Sequence, residues 1–271
     1  MFTLATDAAP GRPNEDAVVV TADLAIVVDG AGVPHGGCHH GVTWYSQTLA
    51  AQTLAALTGH PDLPLAEGLS TALQAVADLH ADTCDLASPT TPCAAIGILR
   101  IGPDRIDTLA LSDVTVVIDG PDGPQITCDL GIERLAGTEP HTLAGLRIGS
   151  AEHQHALAEL VARQTATRNR PDGWWVAASD PTAAHHADTN TYPRHGTHRV
   201  GIYSDGATRP VDQMNLYDWP AWLDQTEKLG PTALIHHIRT IENDDPHGLR
   251  HPRTKNHDDA TLAFGTLPDT H

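Results

Sequence analysis

Apolar positions in the first third of the chain come in short β-branched runs and then change to a helical spacing. Ala17-Val18-Val19-Val20 and Leu24-Ala25-Ile26-Val27-Val28 are parted by a short break, which predicts a hairpin of two strands. A Gly- and His-rich loop, Gly30 to Gly41, leads to Val42–Thr58, rich in Ala, Leu, Thr and Gln and closed by Gly59, which predicts a helix. Leu65, Leu69, Leu73, Val76 and Leu79 recur at steps of four, four, three and three, one apolar stripe of a second helix. The middle is strand-rich. Residues 94–99, 105–111, 114–118 and 125–128 are separated by Gly-Pro, Asp-Val and Pro-Asp-Gly-Pro breaks, the spacing of antiparallel strands joined by tight turns. A helix is expected over 151–167 with Leu157, Leu160 and Val161 inward, and a strand over 199–203. A further helix over 231–242 is expected to bury Leu234, Ile235, Ile238 and Ile241, and 260–264 to close as a strand. Trp174-Trp175 and the Trp219–Trp222 stretch read as packing anchors. Helix pairs set between groups of antiparallel strands predict an α+β fold, a four-layer α-β-β-α sandwich of two stacked antiparallel sheets flanked by helices. With no internal repeat or long linker, residues 1–271 read as a single domain.

Composition narrows the partners. An apolar content of 40% supports a buried core, which aliphatics and alanine must fill because aromatics make up only 4%. Sixteen Lys and Arg against 34 Asp and Glu give a formal charge of -18. Such a chain is poorly suited to neutralise nucleic-acid phosphates or to bind anionic membranes, so neither is an expected partner. No segment approaches the roughly 20 apolar residues of a membrane-spanning helix, and the start Met1-Phe2-Thr3-Leu4 lacks a signal peptide's basic and apolar parts. A cytoplasmic location is expected. Cys38, Cys84, Cys93 and Cys128 are widely spaced without a Cys-x-x-Cys pair, and read as reduced thiols rather than a disulfide frame or a structural zinc site. His39-His40, His185-His186 and His236-His237 are poor chelates by themselves, since adjacent residues do not share a face. Only the His35–His40 loop stands out among them as a cluster to test.

Carboxylates recur where strands meet turns: Asn14-Glu15-Asp16, Val28-Asp29-Gly30, Ser112-Asp113, Ser204-Asp205-Gly206 and Asp258-Asp259-Ala260-Thr261. An Asp at a strand end can aim its carboxylate off the sheet edge while a following Gly lets the backbone approach a ligand. Several converging carboxylates make an oxygen-lined pocket for hard cations such as Mg²⁺ or Mn²⁺. Each motif alone is also a common hairpin turn or N-cap, so their order carries more weight than any one match.

In that order, and with the Ser88–Ala94 turn between the second and third, these segments resemble the metal-dependent serine/threonine protein phosphatases of type 2C, from residue 3 to residue 265. The resemblance implies a β-sandwich flanked by helices, here of bacterial type, and two or three Mn²⁺ or Mg²⁺ ions as cofactors. Asp29 matches the carboxylate that bridges two ions, the Gly30 carbonyl would serve one of them, and Asp205 and Asp258 match the remaining direct ligands. Glu15 and Asp16 would hold water on the ions, and Asp113 matches a carboxylate associated with a third metal. The implied activity is hydrolysis of a phosphomonoester, on a phosphoprotein or a small phosphorylated substrate, by metal-activated water. A non-catalytic binding module of the same fold is the rival. Three departures stand out. The family's phosphate-gripping Arg aligns with Gly11, leaving Arg12 one residue closer as the candidate. Ala31 stands where some members carry His, and Ser112-Asp113-Val114 replaces Gly-Asp-Ser. The basic run Arg250, Arg253 and Lys255, just before Asp258, is a candidate replacement for the missing Arg.

Overall fold

The computed structural model describes residues 1–32, 38–132 and 143–268. Among the described residues ten strands form two antiparallel sheets. One runs in the order β1 (Phe2–Asp7), β10 (Ala260–Thr266), β9 (Arg199–Tyr203), β6 (Thr115–Gly120), β7 (Gly123–Thr127). The other runs β2 (Ala17–Val20), β3 (Leu24–Ala31), β4 (Cys93–Ile101), β5 (Arg105–Leu111), β8 (Asp188–Pro193). Helices α1 (Gly41–Gly59) and α2 (Leu65–His80) cover the second sheet, and α3 (Ala151–Thr167) follows β7 in the chain. Helices α4 (Asp205–Asp212), α5 (Trp219–Leu229) and α6 (Pro231–Asp244) cover the first sheet. The fold is therefore α+β with two stacked sheets between helical layers.

Strand alternation builds three apolar layers at once. On β3, Leu24, Ile26 and Val28 pack under α1 and α2, while Ala25 and Val27 point between the sheets. On β10, Ala263 faces the inter-sheet core, and Ala260, Leu262 and Phe264 meet the α5–α6 side. Covered on both faces, these central strands read as unbroken apolar runs, which is why the sequence announced them.

Three elements escaped the apolar pattern. β1 and β8 are edge strands, largely exposed and polar (FTLATD and DTNTYP), so neither carries a clear alternation. α4 contains Gly206 and Pro210, both unfavourable to a helix in isolation. Three helical stripes also end differently from expectation. Leu79 is 56% exposed while His80 is buried, Val161 is exposed while His153 is buried, and Ile241 is only half-buried while Glu242 is fully buried. In α2 and α6 the polar residue next to the expected hydrophobe takes the inward position, and in α3 it is His153, near the start of the helix.

Trp174 and Trp175 are packing groups, as expected. The Trp174 indole Nε1 donates to the Gln164 carbonyl at 2.8 Å, and Trp175 stacks on His186 at 3.5 Å. His236 is exposed and His237 half-buried against the Tyr217 hydroxyl at 2.9 Å. All four cysteines are free thiols, but their wide sequence spacing conceals one close pair: the Sγ atoms of Cys38 and Cys84 lie 3.2 Å apart. Among the described residues no helix is long and apolar enough to cross a membrane.

Candidate functional site

The carboxylates of the sequence motifs meet at one end of the sandwich. Asp29 sits near the end of β3, opposite Ala95 of β4, and Asp205 opens α4 directly after β9. Asp258 precedes β10, the neighbour of β9, and Asp16 precedes β2, the neighbour of β3. The two sheets thus each bring two aspartates to the same edge.

Hydrogen bonds stitch the first and last motifs together. Asp259 accepts the backbone N–H groups of Ala9 and Glu15, each at 2.7 Å. Asn14 accepts from the Asp16 N–H at 3.0 Å and donates to Thr6 Oγ1 at 2.7 Å, while Thr6 and Thr261 share a 2.7 Å hydroxyl contact. These bonds fold the 8–16 turn onto the start of β10 and present Glu15 and Asp16 beside Asp258. Gly30 is held so tightly against the Glu15 carbonyl, Ser46 and Val42 that any side chain there would collide with them.

Asp113 is brought close enough to act electrostatically on Asp29. Its aim depends on Ser112, which takes the left-handed conformation (φ 67°) and donates its N–H to Asp129 Oδ2 at 3.3 Å. A non-glycine residue held there costs about 1–3 kcal/mol, so Ser112 occupies at a price the position where the resembled family has Gly.

The cluster is electrostatically overloaded. Burial, then the charges of Asp16, Asp205, Asp113 and Asp258, push the Asp29 carboxyl well above the usual carboxylate range. Burial and Asp258 raise Asp205, and the Asp16 carboxyl is pushed up to about 7 by burial with Asp259, Asp205 and Asp258 adding. Asp16 Oδ2 is buried without a hydrogen-bond partner. A buried, unpartnered carboxylate oxygen amid other carboxylates fits a divalent cation with oxygen ligands.

Two basic residues absent from the expected ligand set hold the cluster together. Lys255 Nζ lies 2.5 Å from Asp258 Oδ1; burial opposes its charge, but Asp258, Asp205 and Asp29 outweigh this and hold the ammonium above the usual lysine range. Arg209 Nη2 donates to Asp258 Oδ2 at 2.9 Å, and its Nη1 donates to the buried Glu242 at 2.5 Å. Asp205 and Arg209 are four residues apart, one turn of α4, so their shared face was readable once a helix is drawn there.

The other basic candidates make different contacts. Arg12 is exposed on the turn after Ala9, where its charge favours ionised Glu15. Arg253 is buried in structural bonds to the Asp245 carboxylate and carbonyl and to Asn256, and Arg250 binds the Asp244 carbonyl. Of the basic run, only Lys255 points into the cluster. Residues 33–37, including His35, lie outside the described residues.

These shifts fix a pH dependence. Metal-free folded protein keeps a proton on Asp16 up to about pH 7, whereas an unfolded aspartate releases it near 4. In that window the native state binds more protons, so stability falls as pH rises through it. A divalent cation that binds the ionised cluster displaces those protons and relieves the repulsion. Calorimetry of chelator-treated protein is expected to give a lower Tm at about pH 7.5 than at about pH 5.5, and a larger Mn²⁺-induced rise at the higher pH. A Mn²⁺ effect equal at both would contradict the site.

No protein-family model matches the sequence, and no curated protein matches it. Solved structures do match. The catalytic domain of the serine/threonine protein phosphatase PstP in complex with two manganese ions is 15% identical, with 99% of this chain and 98% of that one covered and a TM-score of 0.57. A PPM Ser-Thr phosphatase from Mycobacterium smegmatis in complex with cacodylate is 17% identical, covering 99% and 98%, with a TM-score of 0.55. A serine/threonine phosphatase from Staphylococcus aureus is 11% identical, covering 98% and 94%, with a TM-score of 0.54.

Proposed function

We propose that this chain, which has the fold of the metal-dependent serine/threonine phosphatases, is itself a Mn²⁺- or Mg²⁺-dependent phosphatase acting on phosphomonoesters, with phospho-Ser/Thr on protein as its substrate class. The observation that carries the reading is the convergence of Asp16, Asp29, Asp205 and Asp258 around the unpartnered Asp16 oxygen.

In this reading Asp29, the Gly30 carbonyl, Asp205 and Asp258 would hold divalent cations. Such cations supply Lewis acidity toward the phosphoryl group and a water of lowered pKa. Glu15 and Asp16 would orient water at the site, and Asp113 would serve a further ion. Arg209, buried and bonded to Asp258 and Glu242, is a positioning residue. No side-chain nucleophile is required. Purified protein is expected to release phosphate from an aryl phosphate with Mn²⁺ and to lose this with EDTA. A phosphopeptide panel set against small phosphoesters separates the protein substrate class from the small-molecule alternative. A non-catalytic module, with no need for a cation-binding carboxylate set, would show neither turnover nor Mn²⁺ binding.

Lys255 is the candidate cation for the substrate phosphate, in place of an Arg at position 11. A charge-assisted hydrogen bond of this kind contributes roughly 1.5–3 kcal/mol. Lys255→Met is therefore expected to lower kcat/KM about 10- to 100-fold, mainly through KM. Unchanged kcat/KM would leave Lys255 as a counter-ion of Asp258 alone.

A further inference from the structure

We propose that Cys38, His40, His80 and Cys84 form a tetrahedral zinc site that clamps the segment leading away from the carboxylate cluster onto the end of α2. Four potential ligand atoms, one from each residue, lie within 4.8 Å of one another. Cys38 Sγ is 3.5 Å from Nδ1 of both His40 and His80, and Cys84 Sγ is 3.4 Å from His40 Nδ1. Zinc bonds of about 2.3 Å to sulfur and about 2.0–2.1 Å to nitrogen imply tetrahedral sulfur–nitrogen edges of roughly 3.6 Å, close to those found. The 3.2 Å between the two sulfurs is far beyond a disulfide bond of about 2.05 Å.

The surroundings suit thiolate ligands. Backbone N–H groups of His40 and Gly41 point to the Cys38 sulfur, and those of His39 and His40 to Cys84. N–H···S bonds of this kind stabilise a thiolate and orient it, as outer-shell partners of a metal do. Trp44 stacks on His40 at 4.4 Å and lies 5.2 Å from His80, so an aromatic wall covers the imidazole side. Two thiolates balance the charge of Zn²⁺, and four protein ligands leave no open position, the arrangement of a structural site.

Local geometry explains how residues far apart in sequence meet. His80 ends α2, and the Cys84 N–H bonds back to the His80 carbonyl at 2.9 Å, which folds the two ligands together. Cys38 and His40 immediately precede α1, whose Thr43 hydroxyl donates to the Asn14 carbonyl at 2.9 Å beside Glu15. Zinc would thus fix α1 and, through it, the turn carrying Glu15 and Asp16. His39, exposed with Nδ1 3.6 Å from Cys84 Sγ, flanks the site without completing it.

The test measures metal directly on the whole chain. After brief EDTA treatment that clears Mn²⁺ and Mg²⁺, elemental analysis is expected to find about one zinc per chain, released by a thiol-modifying mercurial. Co²⁺ added to the stripped protein should give thiolate-to-cobalt charge transfer and tetrahedral d–d bands. Cys84→Ser should weaken Co²⁺ binding by at least about 100-fold, since losing even an outer-shell partner costs 10- to 100-fold. His40→Ala, at a half-buried position, supplies a second variant should Cys84→Ser fold poorly. Cys128→Ser should leave the spectrum unchanged. Asp205→Asn should retain zinc, which separates this site from the carboxylate cluster. Absence of zinc, or a cobalt spectrum without thiolate bands, would overturn the proposal.

Discussion

Replacing Asp205 with Asn is expected to abolish Mn²⁺-dependent phosphate release while leaving the metal-free protein as stable as before, or more so. Asp205 starts α4 at the edge where both sheets deliver their aspartates, and its carboxyl is raised by burial and Asp258. In metal-free protein one carboxylate fewer means less repulsion, so the Tm should hold or rise. In the proposed reading the same change replaces a direct, anionic oxygen ligand of Mn²⁺ with a neutral one. Outer-shell losses already cost 10- to 100-fold in affinity or activity, so loss of a ligand should exceed 100-fold in kcat/KM. The Mn²⁺-induced rise in Tm, about 2.7 kcal/mol of stabilisation at 100 times Kd for the intact site, should shrink together with activity. Aryl phosphatase assays and calorimetry on one preparation check all three effects. Activity that survives the substitution, or survives EDTA, would sink the assignment of the cluster as a catalytic metal centre.

How much of this was legible depended on whether the deciding interaction was local. β3, β4, β9 and β10 were readable because both faces are buried and the apolar runs are continuous. The carboxylates were readable because each follows or precedes such a strand, so the sheet edge collects them. Side-chain pairings across long separations left no periodic trace. Arg209 meets Asp258 across 49 residues, and Cys38 meets Cys84 across 46. The expected apolar stripes passed over inward polar positions for the same reason. His80, Glu242 and His153 each take an inward position because a distant partner satisfies it: Cys38 for His80, two arginines for Glu242 and the Arg253 carbonyl for His153. A hydrophobicity pattern assigns those positions outward and so misses the sites where burial has been bought with a specific contact.

Glu242 is where that contact carries the largest structural load, and Glu242→Ala is expected to be the most destabilising single substitution proposed for this chain. Its carboxylate is fully buried, accepting from Arg209 at 2.5 Å and from Arg239 at 2.9 Å. Arg209 is itself buried and has Asp258 as its other partner, while Arg239 reaches back to the Asp7 carbonyl on β1 at 3.2 Å. Removing the shared acceptor leaves two guanidinium groups under-compensated, a loss of roughly 3–5 kcal/mol by the measure of broken buried pairs. At about 2–4 °C per kcal/mol for a chain near this size, the Tm should fall by roughly 6–20 °C. Glu242→Gln, which keeps an acceptor oxygen but not the charge, should fall between. The paired replacement Arg209→Met with Glu242→Leu tests what the network is for. Buried ion pairs exchanged for apolar groups commonly lose little stability, so the double variant should melt above Glu242→Ala. Asp258 would then lack the guanidinium that fixes it, and Mn²⁺ affinity should drop about 10- to 100-fold even where stability returns. Recovery of both stability and Mn²⁺ affinity would show that Arg209 and Glu242 only hold α4 to α6. Recovery of stability alone would place them as the support on which the position of Asp258 depends.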